Sequence, residues 1–166
     1  MKKLKIYLDT SAIGYLDEQS HPSEMRDMQT LWDCIKQDEY TVVISEVTLT
    51  ELNANMNVEK ANKLTQFINQ IKYDKMLIDD EVIKIAELVK STNLLVSDKS
   101  ENDRLHIGCA LVSGCDVLVS YNFKHMSNVR TVNGVRGIST LSGYGNINIV
   151  PAAMLIESEG DSNDNA

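Results

Sequence analysis

Residues 116–125, DVLVSYNFKH, decide how this chain is read. Val117, Leu118 and Val119 form a continuous apolar run, too short for a helix, of the kind a strand shows when both faces are buried. The run breaks off at Ser120, Tyr121 and Asn122. Working outward, LKIYL (4–8) is a second apolar strand signal, closed by Asp9, Thr10 and Ser11. TVVI (41–44) is a third, after which Ser45 reads as a helix N-cap with Glu46 in the first turn. Shorter strand signals lie at 76–78 and 147–150. Between the strands run helical periodicities: 23–37 with Ser23 as cap, a short helix through Val47, Leu49 and Leu52, then 58–71, 79–89 and 100–113, the last capped by Ser100 or Asn102. Pro151 marks the start of a terminal helix. GVRGISTLSGYG (134–145) has neither GxGxxG nor Walker spacing and reads as turns and a short helix. Strands alternating with helices predict an α/β protein, a three-layer α/β/α sandwich around a mainly parallel sheet.

The composition fits one globular domain. The chain has 166 residues, 43% hydrophobic and 24% charged, which excludes a low-complexity or disordered body. The single domain is assigned to 1–156. Residues 157–166, ESEGDSNDNA, carry Glu157, Glu159, Asp161 and Asp164 and no base, so half of the formal charge of −8 resides in what reads as an acidic disordered tail. No apolar run reaches the ~18 residues of a membrane span. The Met1–Leu4 start leads into Tyr7 and Asp9, not into the apolar core of a signal peptide. Three cysteines, Cys34, Cys109 and Cys115, without CxxC spacing argue against a disulfide framework or a thiolate zinc site, and for a reducing cytoplasm.

Ligands of open parallel sheets bind outside the carboxyl ends of the strands. Asp9 arrives there from the first strand, Glu51 from the helix after the second, Asp103 from the start of a helix, and Asn122 from the end of the fourth strand. Three carboxylates in one pocket repel unless a cation offsets them, and oxygen ligands favour Mg²⁺ or Mn²⁺ over zinc. Such a site suits phosphodiester hydrolysis. An acidic chain is no obstacle, because a bound divalent ion inverts the local charge.

YLDTSAI (7–13), SEVTLTEL (45–52), NDRLHIGCA (102–110) and DVLVSYNFKH (116–125) together resemble the four motifs of PIN-domain nucleases. The resemblance implies a metal-dependent endoribonuclease of compact α/β/α fold acting on RNA. It extends to VapC-type toxins of toxin–antitoxin pairs, which implies an antitoxin protein and a homodimer among the partners. Carried over residue by residue, Asp9, Glu51 and Asp103 fall on the family's acids, as catalytic residues and as ligands of Mg²⁺ or Mn²⁺. Asn122 falls on the fourth position, often an Asp in the family, and Ser11 and Ser120 stand behind the ligands. Asn122 offers an amide oxygen but no charge. It keeps open a second reading, a PIN-like module that binds RNA or protein with weak or no catalysis.

Other readings fail on single residues. Haloacid-dehalogenase chemistry needs a general acid two residues after the nucleophile, where Ser11 stands. A receiver domain needs an acid pair near the first strand, where Asp9 stands alone. Asp116 begins the strand that Asn122 follows and so faces the wrong rim. His106 and His125 read as hydrogen-bonded histidines near the pocket. Arg104 and Lys124 are assigned as contacts to substrate phosphate.

Overall fold

A computed structural model of the chain describes residues 2–160, and side chains up to Ile156. Five strands form one sheet: β1 (Lys5–Leu8), β2 (Thr41–Ser45), β3 (Asp74–Met76), β4 (Val117–Val119) and β5 (Asn148–Val150). Their spatial order is β3-β2-β1-β4-β5 and every pairing is parallel, so the sheet is wholly parallel where the sequence predicts it mainly so. Parallel neighbours need crossovers, and the crossovers are helices. These are α1 (Thr10–Gly14), α2 (Pro22–Lys36), α3 (Glu46–Asn53), α4 (Val58–Ile68), α5 (Asp80–Ser91), α6 (Glu101–Val112), α7 (Val129–Ser142) and α8 (Ala152–Gly160).

The pleat of β1 divides the core in two. Ile6 and Leu8 pack on one face with Met28, Leu31 and Trp32 of α2, Leu64 of α4 and Leu155 of α8. Tyr7 points to the other face, into Val82, Ile85 and Val89 of α5, Ile107 of α6 and Ile138 of α7. The centre of the sheet is therefore apolar on both sides, as the continuous runs in β2 and β4 require. Trp32 ties the first layer together: its indole N–H donates to the Phe67 carbonyl at 3.2 Å, and its ring meets that of Phe67 edge-on.

Local signals set the helix ends. Ser45 accepts from the Thr48 N–H, Asp79 from that of Val82, and Asn128 from that of Thr131. Four sequence expectations need correction. Ser23 does not cap α2; Pro22 occupies its first turn, where a missing N–H costs nothing. The third strand lies two residues earlier than expected, at Asp74–Met76. Asp9, Thr10 and Ser11 do not merely close β1 but open α1, with Asp9 as its cap. The glycine-bearing stretch 134–145 is largely regular helix: α7 spans 14 residues, ending on Gly143 at φ 78°. Gly134 lies within α7 where a Cβ would stand 2.1 Å from the Leu94 side chain, so packing accounts for it. Of the proposed tail, 157–160 continue the backbone of α8, and 161–166 lie outside the described residues.

Gly108 marks the tightest helix contact. A Cβ there would stand 2.7 Å from the Val82 carbonyl oxygen of α5, and backbone cannot swing aside as a side chain can. Gly108→Ala should therefore lower stability by about 1–3 kcal/mol despite the better helix propensity of Ala, as read by urea unfolding.

Candidate active site at the carboxyl ends of β1 and β4

The first candidate side chain is fixed by the turn out of β1. Asp9 is 3% exposed, and its Oδ1 accepts hydrogen bonds from the Ala12 N–H (2.9 Å) and the Ser11 hydroxyl (2.7 Å). The same Ser11 oxygen accepts the Tyr121 N–H at 2.9 Å, so one hydroxyl joins the ends of β1 and β4. Ser120 continues the join: its hydroxyl lies 3.4 Å from that of Ser11 and accepts the Asn122 N–H at 3.1 Å.

Glu51 arrives from α3 and is held from two sides. Its Oε1 accepts from the Thr10 hydroxyl (2.8 Å) and from Nε2 of His106 (2.7 Å). His106 is almost fully buried, and its Nδ1 lies 2.6 Å from the Tyr7 hydroxyl, which lies 2.6 Å from that of Ser45. An ionised carboxylate only accepts, so Nε2 must carry the proton toward Glu51. Burial pushes the Glu51 carboxyl up, but hydrogen bonds from His106, Thr10 and Asn102 outweigh it and hold it below the usual range. Asp103 shifts the other way. Burial raises it, the His106 field opposes this, and the nearby charges of Asp9 and Glu51 raise it further.

Asp9, Thr10, Ser11, Glu51, Asp103, His106 and Asn122 line one cleft of about 310 Å³. The three acids assigned from sequence thus share one opening. Asn122 joins them with its other end. Its Oδ1 accepts the His125 N–H at 3.2 Å, so its NH₂ faces the cleft and donates to Asp103 Oδ2 at 3.4 Å. The Asn122 amide oxygen thus serves the turn to His125 with one lone pair, while the NH₂ end meets Asp103. Asp103 does not cap α6, whose cap position is Ser100. Asp116 lies at the opposite rim, where Oδ2 accepts the Lys5 N–H at 2.9 Å.

Residues 5–124 match the family model described as PIN domain. That span covers most of the chain and every residue of the cleft. The chain belongs to the PIN-domain family. The architecture of this PIN domain is shared with solved structures of low sequence identity. A chain of VapBC2 from Rickettsia felis, in a complex bound to a promoter DNA fragment, superposes with TM-score 0.53 at 14% identity, covering 88% of this chain and 97% of that one. A chain of VapBC-1 from nontypeable Haemophilus influenzae gives TM-score 0.55 at 13% identity, covering 90% and 99%. No curated protein matches the sequence significantly.

Two assigned phosphate contacts separate. Lys124 is exposed on the loop after Asn122. Arg104 is buried, and its Nη1 donates to the carbonyls of Leu95 and of Ser97, the latter at 2.9 Å. It follows Asp103 by one residue, about 100° round the helix, and so points away from the cleft. Arg104 is corrected from a substrate contact to an anchor of the 95–97 loop. Cys109 and Cys115 are buried, with burial pushing their thiols up to about 12 and about 11, which makes them unreactive. Sequence reasoning missed the inward support of the site. Tyr7 read as one more apolar strand residue, and Thr10 carried no signal of its own.

Among the described residues, no three His, Cys, Asp or Glu side chains close into a metal-holding cluster. The donor set nonetheless fits a hard cation in kind: carboxylate oxygens only, spread round an open cleft. Mg²⁺ keeps several of its own waters and needs one or two carboxylates, which suits such spacing.

Because Asp103 is raised above its unfolded value, ionising it costs folding free energy that appears as pH rises through the carboxylate range. Asp103→Asn should raise the melting temperature of the metal-free protein at pH 7, and the gain should shrink toward zero as pH falls below about 4. Tyr7→Phe should act oppositely. It leaves His106 Nδ1 buried without its partner, and urea unfolding should show a loss of about 1–3 kcal/mol.

Proposed function

We propose that this PIN domain is a metal-dependent endoribonuclease, hydrolysing phosphodiester bonds of RNA, and that it serves as the toxin of a toxin–antitoxin pair. The observation that carries the nuclease reading is the meeting of Asp9, Glu51 and Asp103 in one cleft at the carboxyl ends of the strands. The VapBC complexes that share the fold support the toxin reading and an antitoxin protein as partner.

Asp9, Glu51 and Asp103 would hold Mg²⁺ or Mn²⁺. When bound, the cation supplies the positive charge a phosphodiester requires and lowers the pKa of water. The chain's own residues prepare for it. Ser11 and the Ala12 N–H occupy Oδ1 of Asp9, so Oδ2 would be the oxygen offered to the cation. His106 and Thr10 occupy Oε1 of Glu51 in the same way. Asn122 steadies Asp103 through its NH₂, and Ser120 fixes the Asn122 backbone. Each carboxylate is thereby oriented before any ligand arrives, and the cost of ordering it is met in folding.

Asp9→Asn and Glu51→Gln should each lower RNA cleavage by two orders of magnitude or more while retaining the far-UV circular dichroism of the native protein. Unchanged Mn²⁺-dependent cleavage by either variant overturns the assignment. Asn122→Asp should tighten Mn²⁺ binding by calorimetry, since it adds negative charge beside Asp103, and should lower the melting temperature of the metal-free protein for the same reason. RNA binding without cleavage at any Mn²⁺ concentration would favour the binding-module reading.

A further inference from the structure

The carboxylate cleft poses a problem for a polyanionic substrate, and a second opening beside it answers that problem. A pocket of about 320 Å³ lies between the 93–97 loop and the 124–131 segment. Lys124, His125 and Arg130 line it, and no Asp or Glu does, in a chain with 24 acids to 16 Lys and Arg. Neither Lys124 nor Arg130 enters an ion pair among the described residues.

Both walls are built rather than loose. On one side Arg104 reaches from α6 to the carbonyls of Leu95 and Ser97, and Arg130 Nη2 donates to the Asn93 carbonyl at 3.3 Å. On the other, Asn128 Nδ2 donates to the carbonyls of Phe123 and Lys124, Thr131 Oγ1 to that of His125, and Ser127 Oγ to that of Ser120. The pocket also adjoins the cleft through one residue. Asn122 lines the cleft, and its Oδ1 holds the His125 N–H.

We infer that Lys124 and Arg130 form a phosphate subsite, which seats a backbone phosphate of RNA flanking the phosphodiester held over the carboxylates. The inference rests on the nuclease reading and names how that site grips its substrate. The carboxylates repel RNA unless a cation is present, so the metal-independent share of affinity falls to cations nearby, and each phosphate contact releases counterions. Arg130 and Lys124 supply two such contacts on a preset frame, with His125 as a third hydrogen-bonding side chain.

The test uses the full chain in the Asp9→Asn background, which removes cleavage, and a fluorescently labelled single-stranded RNA oligonucleotide. K124A/R130A should weaken binding at low salt at least tenfold and reduce the slope of log Kd against log salt by about 1.4, at ~0.7 per phosphate contact on a single strand. K63A/K72A, which lines neither opening, should leave both nearly unchanged. In the active protein, K124A/R130A should raise KM on oligonucleotides with little change in kcat, and should not alter cleavage of a dinucleoside monophosphate, which has no flanking phosphate. Equal losses on both substrates, or an unchanged salt slope, would overturn the subsite. Absence of cleavage by wild-type protein would overturn the nuclease reading alone, because the binding arm does not depend on it.

Discussion

Three carboxylates line one cleft, and the repulsion between their like charges is the constraint that the surrounding structure answers. Each acid has its own donors: Ser11 and the Ala12 N–H for Asp9, His106 and Thr10 for Glu51, Asn122 for Asp103. These donors come from α1, α6 and the turn after β4, so the sheet order is what brings them to the acids. β1 lies between β2 and β4 in register, which brings the end of β1 beside both the start of α3 and the Ser120–Asn122 turn. Moving either neighbour by one strand position would leave at least one carboxylate without its partner.

The support is graded from the core outward. Tyr7 belongs to the apolar face that packs on α5, α6 and α7, yet its hydroxyl meets His106 and Ser45. A buried polar chain of this kind is stable only when every member is satisfied, and among the described side chains no buried nitrogen or oxygen lacks a partner. The chain ends on Glu51, whose second oxygen is left for the cleft. Core packing thus reaches the Glu51 carboxylate through a chain of three hydrogen bonds.

What the sequence reveals here follows from which signals are local. The apolar runs of β1, β2 and β4 announce buried parallel strands, and the polar residues that end them announce the rim. Asp9, Glu51 and Asp103 are legible because strand direction alone carries them to one edge. Arg104 was misread because its direction depends on the helix phase, which a single preceding acid does not fix. For Asn122 the sequence gives the position but not the orientation: the end of the amide that meets Asp103 depends on a backbone N–H three residues away. Tyr7 and Thr10 were invisible, since their partners are 99 and 41 residues distant in sequence. The glycines of 134–145 misled because Gly134 serves packing against Leu94, not chain reversal.

The charge pattern then acquires a physical sense. A net charge of −8 would by itself keep RNA away, as long-range repulsion acts before any contact is made. Under the proposed function, acids gathered in one cleft would confine the local repulsion to a site that a cation could neutralise, and the acid-free pocket beyond Asn122 would place positive charge where the polymer continues. Asn122 stands at the border of the two. An aspartate there would extend the negative field toward Lys124 and Arg130, whereas the amide ends it, donating to Asp103 on one side and accepting from His125 on the other. The neutral residue at the family's fourth acidic position therefore costs the cleft one charge and keeps the neighbouring cations available to an anion.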